Sequence, residues 1–216
     1  LSSKNLIASD NLGFIYSLDK NSGKINWAKD YGVPFRSNIK LDGDNIFLVN
    51  QDNKFYILSE KSGKQRLDLE TIPSFLKSKD KANLSLDNRN KDVYFITSAA
   101  EIYSLNYRNR NINWIFNLIG GTSEERVDLF YSSPIIYKEN QIILSTSLST
   151  FSMDSKLGNV KWEFPFATKI NPIVINENIF LVSKKGFLIN LDRKNGKVIW
   201  SRNLFKNLKK LNQQKT

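Results

Sequence analysis

The chain has 216 residues, 40% of them apolar, which is enough for one large domain or two small domains with a packed core. It contains no cysteine and no histidine, so disulfides, Ser-His-Asp and Cys-His nucleophile systems, and the usual zinc and non-haem iron sites are excluded within these residues. The net charge is +11, but the lysines and arginines are scattered through predicted turns instead of being concentrated on one element. We therefore interpret the charge as solvated surface and expect no nucleic-acid partner.

No apolar run approaches the ~18–20 residues needed to span a bilayer. The opening segment, "LSSKNLIASD" at residues 1–10, lacks the basic region and apolar core that are typical of a signal peptide. The sequence therefore predicts a soluble chain, and any export signal or membrane anchor would precede Leu1.

Copies of one sequence unit follow each other along the chain, spaced by roughly 40 residues, a period typical of propeller blades. The copies occupy residues 6–27, 46–67, 93–114, 142–162 and 179–200. Each begins with two short apolar runs separated by a polar turn, as Ile46–Val49 and Phe55–Leu58 are in the second copy. Because these runs are rich in β-branched and aromatic residues, each pair predicts a β-hairpin buried between layers.

An Asp-x-x-x-Gly segment follows the hairpin in most copies. The Asp side chain can accept hydrogen bonds from backbone amides of a turn, and the Gly tolerates a positive φ. These turn residues are Asp19 and Gly23, Gly63, Asp154 and Gly158, and Asp192 and Gly196. In the third copy Arg110 stands where Gly is expected, so we expect a different turn there.

A last strand closes each copy with alternating apolar residues, which predicts that the two apolar residues share one inward face. The pairs are Ile25 and Trp27, Ile112 and Trp114, Val160 and Trp162, and Val198 and Trp200, whereas Leu67 replaces the Trp in the second copy.

A fourth strand is predicted before each later copy, in residues 36–41, 81–86, 131–137 and 169–175. Pro134 and Pro172 stand near the start of two of these strands, where a missing N–H is tolerated. Four antiparallel strands per repeat predict the blades of an all-β protein, a β-propeller. The predicted blades of this single domain are 1–30 (partial), 36–70, 81–117, 131–165 and 169–204, with 205–216 as a basic connection or tail.

The segments "LDKNSGKINW" (18–27) and "LDRKNGKVIW" (191–200) resemble the pyrroloquinoline-quinone-type repeat, whose propellers close with about eight blades. The resemblance therefore implies that the chain is an incomplete part, about five blades, of an eight-bladed propeller. The terminal blades of such a part would expose edges that pair or aggregate, because each repeat buries its apolar face only against its neighbours.

Two families with this repeat have opposite functions. Quinoprotein dehydrogenases hold the quinone and a calcium ion, whereas the BamB family consists of periplasmic lipoprotein scaffolds of the outer-membrane β-barrel assembly machinery. Since the chain lacks cysteine, and its Trp residues and most acids are accounted for by strand ends and turns, we expect no cofactor, no metal and no enzyme activity.

Resemblance to the BamB family implies a non-enzymatic, monomeric scaffold at the periplasmic face of the outer membrane. It implies a protein partner, the barrel-assembly machinery, and membrane association only through an anchor outside this chain. A fragment of a quinoprotein dehydrogenase and a propeller that serves as a sensor or ligand-binding domain remain alternatives.

Residues 120–164 and 170–204 are similar in order and loop length to late blades of BamB-type proteins. That family has a loop bearing Arg and Asp before one such strand, and the loop contributes to docking the barrel partner. The matching stretch here implies a partner-binding loop formed by Thr122, Ser123, Glu124, Arg126 and Asp128. The family's Asp-x-Asp before the strand is replaced by Leu129–Phe130–Tyr131, and a solvated loop without a partner is the alternative. A second long connection, residues 72–81, is predicted to form a short helix or lid without chemistry of its own.

Overall fold

The computed structural model of the chain describes residues 4–71, 83–118, 135–146, 149–168, 170–183 and 185–206. These residues form antiparallel sheets without helices, in two compact units, Leu1–Tyr131 and Ser132–Thr216. The predicted all-β class is therefore confirmed. Pro134, the connection 72–81, the loop Thr122–Asp128 and most of the tail 205–216 lie outside the described residues.

The first unit contains three sheets whose strands are joined in chain order. The first sheet consists of β1 (Asn5–Ser9), β2 (Phe14–Asp19) and β3 (Ile25–Asp30). The second consists of β4 (Lys40–Asp42), β5 (Asn45–Val49), β6 (Phe55–Ser59) and β7 (Gln65–Leu69). The third consists of β8 (Leu84–Asp87), β9 (Asp92–Ile96), β10 (Glu101–Asn106) and β11 (Asn111–Asn117).

The second unit contains two sheets of the same construction. One consists of β12 (Ile136–Lys138), β13 (Gln141–Ser145), β14 (Thr150–Asp154) and β15 (Val160–Phe164). The other consists of β16 (Ile173–Ile175), β17 (Asn178–Val182), β18 (Phe187–Asp192) and β19 (Val198–Asn203). The first sheet of the chain has three described strands, and each of the other sheets has four. Pro172 immediately precedes β16, where it removes no hydrogen bond from the ladder.

Apolar side chains from neighbouring sheets pack together within each unit. In the first unit, Phe55 stacks on Phe95 of the next sheet, with ring centroids 4.7 Å apart, and Phe95 stacks on Tyr103 at 4.9 Å. In the second unit, Ile143 and Trp162 of the β12–β15 sheet pack against Leu191 and its neighbours in the β16–β19 sheet. Each fully buried side chain of this size contributes about 1.5–3 kcal/mol, so the cores between sheets hold each unit together.

The closing strand of every described sheet differs from the predicted alternation. A register shift interrupts its pairing: Trp27 pairs with Ser17, whereas Ile25 pairs with Leu18, so one extra residue lies between them. The same irregularity recurs in the other sheets. Because such a bulge breaks the period of two, the predicted shared inward face is wrong: Ile25, Ile112 and Val198 are exposed.

The Asp-x-x-x-Gly turns have the geometry that their residues predicted. The Asp19 carboxylate accepts hydrogen bonds from the amides of Asn21 and Ser22, at 3.1 and 2.8 Å. The amide of Gly23 donates to the Asp19 carbonyl at 2.8 Å, with φ +69° at the glycine. Asp154 and Asp192 cap their turns in the same way.

The turn of the third repeat has this same geometry, so the prediction of a different turn is wrong. Arg110 has a φ of 64°, and its amide donates to the Asn106 carbonyl at 2.8 Å. The Asn106 side chain replaces the Asp by accepting the amides of Arg108 and Asn109. The turn therefore imposes its backbone on a residue that disfavours it, at a cost of about 1–2 kcal/mol.

Replacing Arg110 by Gly is expected to raise the free energy of unfolding by about 0.5–1 kcal/mol, because relief of the left-handed strain exceeds the added entropy of the unfolded chain. Urea denaturation followed by far-UV circular dichroism measures this change. Arg108→Gly in the same turn is the control, since Arg108 does not have a positive φ and should gain nothing. An Arg110→Gly variant less stable than the wild type would contradict the assignment.

Each repeat Trp that has a following sheet in its own unit packs on the turn of that sheet. The Trp27 indole N–H donates to the Glu60 carbonyl at 2.9 Å, and a Cβ on Gly63 would lie 2.7 Å from the Trp27 ring. In the second unit the Trp162 indole donates to the Arg193 carbonyl at 2.9 Å, and a Cβ on Gly196 would lie 2.7 Å from its ring.

The Trp and the Gly of the repeat are therefore two halves of one contact between sheets. Trp114, which closes the last sheet of the first unit, is half-buried and stacks on Tyr94 with ring centroids 6.2 Å apart.

An acidic side chain in the β4–β5 hairpin also joins two sheets of the first unit. The Asp42 carboxylate accepts hydrogen bonds from Lys91 and from the Tyr107 hydroxyl, both at 2.8 Å. Burial alone would raise the pKa of Asp42, but the hydrogen bonds from Lys91 and Tyr107 and the charge of Lys91 outweigh it and hold the pKa below its usual value of 3.8.

This contact predicts a pH-dependent contribution to stability. A carboxyl whose pKa is lower in the folded chain contributes stability that is present above its unfolded pKa and is lost as the pH falls through the folded value. We expect Asp42→Asn to lower the free energy of unfolding at pH 7, and its difference from the wild type to shrink between about pH 5 and pH 2. Urea denaturation across this range measures it, and a pH-independent difference would contradict the ion pair.

Candidate partner-binding face

The longest stretches between consecutive described strands leave the same end of two neighbouring sheets. β7 ends at Leu69 and β8 begins at Leu84, while β11 ends at Asn117 and β12 begins at Ile136. In an antiparallel sheet joined in chain order, successive connections alternate between its two ends. The connections after β7 and β11 therefore leave from the end that carries the β5–β6 and β9–β10 turns.

A pair of reciprocal hydrogen bonds links these two turns. The Asn53 side-chain amide donates to the Ser98 hydroxyl at 2.8 Å, and the Ser98 backbone amide donates to the Asn53 side-chain oxygen at 2.9 Å. Asn53 is buried and has a φ of 66°, a backbone region that Asn enters more readily than most residues. The side chain of Asn50 braces the turn by accepting the amides of Asp52 and Lys54.

Both long connections are anchored to this pair of turns at their first residues. The Thr71 hydroxyl donates to the Asn53 carbonyl at 3.0 Å, at the start of the connection after β7. The Leu118 amide donates to the Ala100 carbonyl at 2.9 Å, at the start of the connection after β11. We call Asn53, Ser98, Thr71, Ala100 and Leu118 the anchor cluster. It fixes where each connection leaves its sheet.

Charged groups next to the anchor cluster are paired or buried. Lys54 lies 2.5 Å from the Asp68 carboxylate and 3.1 Å from that of Glu70, and the hydrogen bonds to these carboxylates, first that to Asp68, raise the pKa of Lys54. The buried Glu101 carboxylate accepts the Tyr103 hydroxyl at 3.0 Å. These contacts neutralise or bury charge.

The residues predicted from the sequence and the anchor cluster are different parts of this face. The predicted partner-binding residues Thr122, Ser123, Glu124, Arg126 and Asp128 lie outside the described residues, so their role stays a prediction. Sequence reasoning missed the anchor cluster. The one local signal was the polar turn "NQDNK" (50–54), in which an Asn is suited to a positive φ. Its partner, 45 residues further along the chain, had no recognisable signal.

A family model described as "Outer membrane protein assembly factor BamB" matches residues 2–202. The chain belongs to this family. No curated protein matches the chain.

Solved structures confirm that this BamB-family chain has a β-propeller fold. The crystal structure of BamB from Moraxella catarrhalis superposes with a TM-score of 0.76 at 13% sequence identity, over 92% of this chain and 61% of that one. A computationally designed protein, Ika8, superposes with a TM-score of 0.71 at 9% identity, over 94% of this chain and 60% of that one. The chain thus spans about three fifths of the length of each of these two proteins.

Two further observations concern the described part of the BamB-family chain. Those residues contain no candidate for a membrane-spanning helix. No three Asp or Glu side chains in those residues come together as a metal site would require.

Proposed function

We propose that the chain is a non-enzymatic scaffold that acts in the assembly of β-barrel proteins at the periplasmic face of the outer membrane. Membership in the BamB family, whose model matches residues 2–202, supports this kind of role. The absence of histidine and cysteine from the sequence supports a binding role over an enzymatic one, because it removes the commonest nucleophile and base pairs.

The anchor cluster is the observation that carries the proposal. The long connections of two neighbouring sheets leave at the same end. Hydrogen bonds between Asn53 and Ser98 join the two turns to which the first residues of these connections are bound. Binding residues are commonly found on loops positioned by a rigid scaffold. The connection after β11 includes Arg126 and Asp128, so the proposed partner, a periplasmic domain of the barrel-assembly machinery, would contact this end of the first unit.

A direct binding measurement tests the proposal. The purified chain is titrated with the purified periplasmic part of the assembly machinery from the same organism, and the dissociation constant is measured by biolayer interferometry. We expect saturable binding that Arg126→Glu or Asp128→Lys weakens at least about tenfold, because a reversed charge at an interface replaces attraction by repulsion. Lys194→Glu is the matched control, since Lys194 is an exposed cation in the β18–β19 turn.

Three results would contradict parts of the proposal. No binding by the wild type contradicts the function, and unchanged binding by both charge-reversed variants contradicts the loop assignment. Alcohol oxidation, detected with an electron-accepting dye after addition of pyrroloquinoline quinone and Ca²⁺, contradicts the non-enzymatic role and favours a quinoprotein dehydrogenase.

A further inference from the structure

One pair of adjacent residues in the β18–β19 turn has a reactivity that the proposed function does not use. Asn195 and Gly196 form the one Asn-Gly pair in the sequence. The backbone amide nitrogen of the residue after an Asn can attack the side-chain carbonyl carbon of that Asn, Cγ, and close a five-membered succinimide ring. Glycine allows this attack most readily, because it has no side chain to hinder the approach of its nitrogen.

The side chain of Asn195 lies against the backbone of its own turn. Its Oδ1 accepts a hydrogen bond from the backbone amide of Lys197 at 2.9 Å. Attack on Cγ would move negative charge onto this oxygen, and an N–H group that already points at it stabilises the charge that develops there. The electrophilic half of the reaction is therefore prepared in the folded chain.

The nucleophilic half, the amide of Gly196, is restrained in two ways. It donates its hydrogen to the Asp192 carbonyl at 2.8 Å, and this hydrogen must leave before the nitrogen can attack. Gly196 is also buried, and a Cβ there would lie 2.7 Å from the Trp162 ring. The Gly196 nitrogen can therefore move toward Cγ only when the turn separates from Trp162.

We propose that Asn195 is a site of spontaneous deamidation, and that the packing of Trp162 on Gly196 keeps it inactive until the β18–β19 turn opens. The Gly196 nitrogen forms a bond to Cγ as the bond between Cγ and Nδ2 breaks, and ammonia leaves with the amide proton. Water then opens the succinimide at either of its carbonyl groups and yields aspartate or isoaspartate. The reaction needs no oxidant or reductant.

The modification would mark every chain whose β18–β19 turn has opened. Both products add a carboxylate to a turn in which the Asp192 carboxylate already accepts the amides of Lys194 and Asn195, and neighbouring like charges repel. Isoaspartate also lengthens the backbone of the turn, so Gly196 no longer fits closely beneath Trp162. Deamidation therefore makes the opening of this contact irreversible.

Peptide mapping by mass spectrometry, after incubation at mildly alkaline pH, measures the deamidation rate at Asn195. We expect the folded wild type to react at least about tenfold more slowly than the same chain in urea, because only the open turn reacts. Trp162→Ala should raise the rate in the folded chain at least about tenfold. Trp162→Phe keeps a ring over Gly196 and should stay within about threefold of the wild type.

Trp162→Ala also weakens the second unit as a whole, so two turns of the first unit serve to isolate the effect of the ring. The β6–β7 turn contains Gly63 beneath Trp27, and Ser62→Asn places an asparagine before this glycine. The β10–β11 turn follows a sheet that has Leu67 at the Trp position, so no indole ring from that position covers it.

Arg110→Gly completes the comparison by placing a glycine after Asn109 in the β10–β11 turn. The amides of Gly63 and Arg110 each donate a 2.8 Å hydrogen bond to the carbonyl four residues earlier, so both turns restrain the nucleophile in the same way. In a chain that carries Ser62→Asn and Arg110→Gly, we expect Asn109 to deamidate at least about fivefold faster than the asparagine introduced by Ser62→Asn.

Three results would overturn the proposal: a folded wild type that deamidates as fast as the chain in urea, a Trp162→Ala rate equal to that of the wild type, or equal rates at the two turns of the first unit. None of these measurements involves the barrel-assembly machinery, so failure of the proposed function leaves the inference standing.

Discussion

Replacing Trp162 by Ala is expected to lower the free energy of unfolding by about 3–5 kcal/mol, the range for deletion of a large buried aromatic side chain. The Trp162 ring lies between the β12–β15 sheet and the β18–β19 turn, where it covers Gly196 and donates to the Arg193 carbonyl. Its loss leaves a cavity and a buried carbonyl without this donor. Urea denaturation at low protein concentration, followed by far-UV circular dichroism, measures the change.

Two variants make this prediction specific. Trp162→Phe keeps most of the ring and removes the indole donor, so we expect a smaller loss of about 1–2 kcal/mol. Trp200→Ala removes the same side chain at the corresponding but exposed position, and we expect a loss below about 1 kcal/mol. Equal losses for Trp162→Ala and Trp200→Ala would show that the contact with Gly196 does not stabilise the second unit.

Replacing Gly196 by Ala is expected to lower the free energy of unfolding by about 3 kcal/mol, from two separate causes. The left-handed backbone of Gly196, with a φ of +70°, costs an L-residue about 1–2 kcal/mol. A Cβ there would also lie 2.7 Å from the Trp162 ring, and overpacking of this kind costs about 1–3 kcal/mol. Thermal and urea unfolding of the purified variant test the sum.

Gly23→Ala separates the two causes. Gly23 has nearly the same φ, +69°, in the same type of turn, but a Cβ there meets nothing within 4 Å. We expect only the backbone cost at Gly23, about 1–2 kcal/mol. If Gly196→Ala and Gly23→Ala destabilise the chain equally, the close approach of Trp162 contributes nothing.

Local features of the fold were readable from the sequence because their causes lie within a few residues. The apolar runs and Asp-x-x-x-Gly turns predicted the hairpins, since a strand or a turn depends on residues adjacent in the chain. The closing strand was less predictable: the bulge beside Trp27 depends on its pairing with β2, so the alternation misplaced Ile25.

The candidate site was harder to predict for the same physical reason. Family resemblance pointed to Arg126 and Asp128. The hydrogen bonds next to the long connections join Asn53 and Ser98, which belong to turns of different sheets. A polar side chain in a turn signals its own backbone conformation, but it carries no signal of which distant residue it will meet.

The repeat, the all-β class, the family and the need for glycine in most turns could be read from the sequence, because each follows from local conformation or from a recurring pattern. The packing of Trp162 on Gly196 and the glycine-like backbone of Arg110 could not be read from the sequence, because both depend on contacts made only in the folded chain. Periodicity shows which side chains must be covered, but what covers them depends on how the sheets pack.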